Sequence, residues 1–224
     1  MTSPAGTASL IFPVGHYIGA HYPGPGADLD FHVVRIGWEI YRIEGNEQFG
    51  VWALAHGVPD QGDEMSPWTR PALEGAPRAT GLPSVGPTLE TLLTKDLVIE
   101  VTPGTADAVE FAKVVRLRSL LVGLGNTADD PLHYGIGLPN GQPVMQATAF
   151  DYELWKWGHA CDNLWHVCQV LAQAGRDVAP NEPEQVDPER ILTRVLASVQ
   201  NLVAHGAAYL DEAREDDLSE AAVA

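Results

Sequence analysis

Basic residues are scarce in this 224-residue chain. It has 13 Lys and Arg against 30 Asp and Glu, a formal charge of −17. Residues 1–113 carry 14 acids and 6 bases, and residues 114–224 carry 16 and 7. The acidity is therefore general and not the property of one tail. A protein that holds a phosphate backbone does so with clustered Lys and Arg, and no such cluster runs along the sequence. Nucleic acid is an unfavoured partner, and so is an anionic membrane surface. Cysteine is nearly absent. Cys161 and Cys168 cannot make a disulfide framework, so a reducing, cytoplasmic location is expected. Long hydrophobic runs are missing as well. No stretch approaches the ~18 consecutive apolar residues of a membrane span, and residues 1–13 lack the basic and apolar regions of a signal peptide.

What the chain does have is 45% hydrophobic residues, enough for a packed core. Its 22 Gly and 17 Pro cut it into short elements. Phe12–Tyr22 has strand character, Pro23-Gly-Pro-Gly26 is a turn, and Phe31–Ile43 alternates with period two and reads as one strand. Gln48–His56 predicts a short helix ended by Gly57 and Pro59. Ser66-Pro67 predicts the start of a second helix, and Pro87–Lys95 a third with Leu89, Leu92 and Leu93 on one face. Leu97–Val101 is a short β-run.

The second half gives a similar order. Arg116–Gly123, Tyr134–Leu138 and Gln142–Ala147 are strand candidates, with a turn at Pro139-Asn140-Gly141. One helix is expected from Asp151 to about Ala174, and another from Asp187-Pro188 to Gly206. Ala207–Leu210 can close the unit as a strand. Phe49-x-Val51-Trp52-x-x-x-His56 lines up with Tyr152-x-Leu154-Trp155-x-x-x-His159, which supports an internal repeat. The expected fold is α+β: tandem winged helix-turn-helix domains, each with an N-terminal β-hairpin. They would cover residues 10–104 and 114–211, followed by an acidic disordered tail over 212–224.

The densest chemical cluster is His159, Cys161, His166 and Cys168. His and Cys are zinc ligands. On one continuous helix at about 100° per residue, however, the histidines and the cysteines point to opposite sides. The cysteines share the face of Leu154, Leu164 and Leu171 and read as core thiols. No metal and no cofactor are expected. Trp155, His159, Asp162 and His166 form the other stripe. A catalytic His–Asp pair there lacks a visible nucleophile, so an inter-domain interface built from Trp52, His56, Trp155 and His159 is preferred. Gly123-Leu-Gly125-Asn-Thr-Ala128 resembles a dinucleotide fingerprint, but Asp129-Asp130-Pro131 follows where a helix must open, and a loop is expected. His16 and His21, on either side of Gly19, read as structural or solvated residues.

The order of hairpin, Phe49/Trp52 helix start and Leu-rich third helix running into Asp96-Leu97-Val98 resembles one family. These are the small winged-helix peptide-recognition modules of ribosomal peptide modification, which include the peptide chaperone of pyrroloquinoline quinone biosynthesis. The resemblance covers Phe31–Val101. It implies that an extended peptide adds to the hairpin edge and packs on the third helix. The positions it implies are Val33, Arg35, Tyr41 and Ile43 on the strand, and Leu89 and Lys95 on the helix. The expected function is a non-catalytic peptide- or protein-binding adaptor whose partner is basic on charge grounds. The alternatives are a DNA-binding regulator and an enzyme using the His159/Asp162/His166 stripe.

Overall fold

The computed structural model of the chain describes residues 8–59, 66–76, 82, 85–139 and 141–214. It is a mixed α+β protein. The expected acidic tail lies, from residue 215 onward, outside the described residues.

Strand β1 (Leu10–Pro13) pairs antiparallel with β5 (Val98–Val101), Leu10 opposite Val101. Between them the chain forms an antiparallel meander of β2 (His16–His21), β3 (Phe31–Ile36) and β4 (Glu39–Glu44). Three helices follow before β5: α1 (Gly45–Leu54), α2 (Arg70–Gly75) and α3 (Gly86–Thr94). Helix α4 (Ala106–Val114) then leads into β6 (Val115–Ser119). The second half has its own meander of β7 (Val122–Gly125), β8 (Tyr134–Gly137) and β9 (Pro143–Ala147). Helices α5 (Ala149–Gly158), α6 (Leu164–Val178), α7 (Pro183–Val186) and α8 (Pro188–Ala204) come next, and β10 (Ala208–Glu212) returns to pair with β6.

The two halves therefore follow one plan: a strand, a three-stranded meander, helices, and a last strand paired to the first. The details repeat. The Leu97 N–H donates to Leu92 O at 3.0 Å where α3 ends, and the Ala207 N–H donates to Leu202 O at 2.9 Å where α8 ends. The Val14 N–H reaches Leu97 O at 3.0 Å, and the Leu120 N–H reaches Ala207 O at 2.7 Å. The next residue is left-handed in both halves, Gly15 at φ 98° and Leu121 at φ 63°. Both meanders carry a register shift, at Gly19 and at Gly125. An aromatic from the middle strand stacks on the helix that follows: His32 on Phe49 with centroids 3.9 Å apart, and Tyr134 on Tyr152 at 4.7 Å.

Three expectations need correction. Phe31–Ile43 is two strands, because the chain folds back at Gly37-Trp38 and Ile36 pairs with Glu39. The helix expected from Asp151 to Ala174 is broken. Helix α5 is capped by Thr148 and ends at Gly158, and Asn163 caps α6 by accepting from the His166 N–H at 2.8 Å. Thr69, not Ser66, caps α2. Helix α4 was not foreseen. Thr105 caps it, and Ala108, Phe111 and Ala112 are its buried face.

Each half has a hydrophobic core, and β1 stands between them. Ile11 belongs to the core of Val34, Ile43, Trp52, Leu89 and Leu92. Leu10 and Phe12 point the other way, into the core of Phe111, Leu117, Trp155, Leu192 and Leu196. Strand alternation thus makes one ribbon a shared wall. Buried Gln200 of α8 ties the halves together: its amide donates to Ile11 O at 3.0 Å and Trp68 O at 2.8 Å, and its Oε1 accepts from the Trp68 N–H at 3.1 Å.

Candidate functional site

The sheet β2-β3-β4 leaves β4 as an edge. Among the described residues, no other strand pairs with its outer side. Cross-strand register places Ile40, Arg42 and Glu44 on the face of Arg35, Val33 and Phe31, away from the core, while Tyr41 and Ile43 lie on the face of Val34 and His32. The Glu44 N–H donates to Gln48 Oε1 at 2.9 Å. Its amide therefore faces out of the sheet, and by strand alternation so do those of Ile40 and Arg42.

This geometry sorts the positions implied by the family resemblance. Ile43 and Leu89 are fully enclosed and offer no surface to a ligand. Tyr41 packs partly buried against the first core. Val33 lies on the outer face of the sheet. Arg35 is taken up by a seam between the halves: it donates to Gly37 O at 2.6 Å and to Tyr209 Oη at 2.9 Å. Lys95 alone of the six is freely exposed, in a cleft of about 480 Å³ with Glu44, Glu47 and Thr91. A second cavity of about 380 Å³ lies at the other end of β4, lined by Trp38, Glu39, Arg116, Glu212 and Arg214. Sequence reasoning missed this end, because Arg116 and Arg214 are about 80 and 180 positions from Trp38, beyond the reach of any local motif.

The Trp/His pairs sit inside their own halves. Trp52 is buried in the first core, with Phe49 at 6.0 Å and His56 edge-on at 4.5 Å. Trp155 is buried in the second core, and its Nε1–H donates to Leu120 O and Ala207 O, both at 3.0 Å. His159 is the exposed C-cap of α5. The contact between the halves is carried instead by Gln200 and by the seam around Asp211.

The His159/Asp162/His166 stripe does not exist as one helical face, since the chain breaks between α5 and α6. His166 Nδ1 does lie 3.5 Å from Asp162 Oδ2. The shallow cavity there is lined by Asn163, Trp165, Gln169 and Arg214 besides that pair, none of which is an ordinary nucleophile. Among the described residues no group of three or more His, Cys, Asp or Glu is placed to hold a metal ion. Both cysteines are free. Burial pushes the Cys168 thiol up to about 12 and raises Cys161 as well, so neither is an activated thiolate. The Gly123-x-Gly125 segment is strand β7 followed by a loop, in which Asn126 donates to Pro131 O; no helix opens there. Buried His32 donates from Nε2 to Asn46 Oδ1 at 3.1 Å, which leaves Nδ1 to accept from the Tyr17 hydroxyl at 3.1 Å. This pairing fixes β2, β3 and α1 to one another.

His56 and His16 both titrate below the usual histidine value of 6.5. Burial is the main cause in each, and Arg35 adds to it at His16. The unfolded chain takes up these protons near pH ~6.5, whereas the folded chain resists them until lower pH. Stability is therefore complete above about pH 6.5 and falls as the pH drops through and below it. Urea unfolding at about pH 7.5 and about pH 5 should show this loss, and His56→Gln should shrink it. An unchanged pH slope in the variant would remove His56 as a source.

Compared with known proteins, the chain matches no family model, no curated protein and no solved structure.

Proposed function

We propose that this chain is a non-catalytic binding adaptor of two winged-helix-like repeats, working in the cytoplasm, and that it takes an extended peptide or protein segment on the open edge of β4. The observation that carries this reading is the edge itself. Strand Glu39–Glu44 has a partner strand on one side only; on the other the amides of Ile40 and Arg42 face outward, while that of Glu44 is taken by Gln48. A bare edge is a template for another strand, and β-augmentation uses it for affinity while neighbouring clefts select side chains. The cleft of Glu44, Glu47 and Lys95 at one end of β4 carries two acids and one base. With the −17 charge of the whole chain, it favours a segment with a basic side chain at that end.

The test is a selection from random peptides of about eight residues, long enough to span the strand. Wild type and Arg42→Pro are compared. Proline removes an outward amide and is tolerated on an edge strand, so the fold survives while the template is lost. Wild type should enrich a consensus that binds at micromolar affinity, and Arg42→Pro should lose it at least tenfold. Equal binding by the two proteins would overturn the reading.

A further inference from the structure

The seam between the halves gathers arginines around a single buried acid. Asp211 of β10 is 1% exposed. Its Oδ1 accepts from the Gly37 N–H at 2.7 Å and the Glu212 N–H at 3.1 Å, while its Oδ2 lies 3.6 Å from Arg35 and 3.7 Å from Arg116. One carboxylate thus faces two guanidinium groups. The Arg116 side chain is largely buried, and its Nε is enclosed with no hydrogen-bond partner in the protein. Burial lowers the pKa of Arg116, and Arg118 and Arg214 lower it further against the pull of Asp211. Four of the chain's 13 basic residues, Arg35, Arg116, Arg118 and Arg214, thus gather at one spot.

The cavity of about 380 Å³ lies on this spot. Arg116 and Arg214 supply its donors, and Trp38, fully exposed at the β3–β4 turn, supplies an apolar wall. Glu39 and Glu212 also line it, and Arg214 is shared with Asp162 at 3.5 Å. Two acids in the lining work against a dianion such as phosphate. They leave room for one planar carboxylate, whose two oxygens match the guanidinium fork. The cavity begins where β4 begins, at Glu39. A peptide antiparallel to β4 would enter by the Glu44 cleft, run about 17–20 Å along six residues and finish at Trp38 and Arg116.

We propose that the seam cavity binds the C-terminal carboxylate of the peptide docked on β4, with the last side chain of that peptide resting on Trp38. The peptide part of this statement rests on the edge-strand reading above; the carboxylate site rests on the seam. It makes the ligand a segment with a free C-terminus, read in one direction.

The probe is a pair of synthetic arrays of random octapeptides on the full chain, one as free acids and one as C-terminal amides. Free acids should bind about tenfold tighter or more, the scale of a charge-assisted pair lost. Arg214→Gln should bring that ratio below about threefold, while Trp38→Ala should weaken acids and amides alike and leave the ratio unchanged. Both side chains are exposed, so both variants keep the fold, whereas Arg116→Gln disturbs a buried pair and serves only as a third arm. Equal binding of acids and amides, with loss in Arg42→Pro, overturns the carboxylate site and leaves the edge reading standing. An acid preference that keeps its full affinity in Arg42→Pro supports the carboxylate site and overturns the edge reading. Phosphopeptides bound through their phosphate in preference to the carboxyl end, or no binding at all, overturn the proposal.

Discussion

Trp155→Phe should destabilise the protein by about 1–3 kcal/mol more than Trp52→Phe, although each tryptophan sits on the helix that follows the meander of its half. Both rings are buried, Trp52 at 3% and Trp155 at 8% exposure, so the packing lost is similar and amounts to part of the ~3–5 kcal/mol of a full truncation. The indole N–H makes the difference. In Trp155 it bridges Leu120 O and Ala207 O, the two carbonyls at the junction of β6 and β10. Phenylalanine leaves Leu120 O without that donor, and an unmade buried hydrogen bond costs about 1–3 kcal/mol. In Trp52 the Nε1–H is buried with no partner, so removing it relieves a desolvated group instead of orphaning one. Urea midpoints at constant m-value measure both changes. Equal losses, or a larger loss at Trp52, would mean that the bridge contributes nothing.

That asymmetry could not be read from the chain, though the shared pattern around the two tryptophans could. The aromatic-x-aliphatic-Trp-x-x-x-His pattern falls on α1 and α5, the helix that follows the meander in each half, and each Trp is buried in the core of its own half. An interface between those tryptophans does not follow. Burial within each half leaves no tryptophan surface for the other. The residues that do join the halves, Arg35 with Tyr209 and Gly37 with Asp211, are 174 positions apart, and no local spacing announces such a pair.

Element boundaries failed for a related reason. Through Phe31–Ile43 the period-two pattern continues across Gly37-Trp38, so alternation hides a reversal that the two-residue Gly-x loop announces. Gly37 adopts φ 56°, and a Cβ there would run into the Glu212 carboxylate. The left-handed turn demands glycine, while the exposed Glu212 side chain could swing aside from a Cβ. Between α5 and α6 the apolar spacing runs on through Cys161 and Leu164, while Asp162-Asn163 is the usual composition of a helix start. Helix α4 carried its own mark in Thr105 followed by an acid in the first turn. Hydrophobic period dominated each reading, and capping chemistry carried the missing information. The edge of β4 was legible as a strand, but Ile43 and Leu89 are apolar because they build the core. A ligand must read the outward set of Ile40, Arg42 and Glu44 instead.

The seam is where the largest single loss is expected. Asp211→Ala should cost about 3–5 kcal/mol, the range for breaking a buried ion pair from one side. The argument turns on what is left behind. Arg116 is nearly enclosed and Arg35 is two-thirds buried. Without Asp211 both lose their buried counter-charge, Arg116 still faces Arg118 and Arg214, and the Gly37 amide loses its acceptor. Arg116→Met by itself removes one buried charge, and Asp211 keeps Arg35. In the double variant the orphaned guanidinium at 116 is gone, so Asp211→Ala with Arg116→Met should be more stable than Asp211→Ala alone. A double-mutant cycle should give a coupling energy of about 1–3 kcal/mol. Chemical denaturation of the four proteins supplies the numbers. A loss under about 1 kcal/mol for Asp211→Ala, with no coupling to position 116, would mean that water already screens the pair. The two halves would then be held by Gln200 and the shared β1–β5 wall, not by charge.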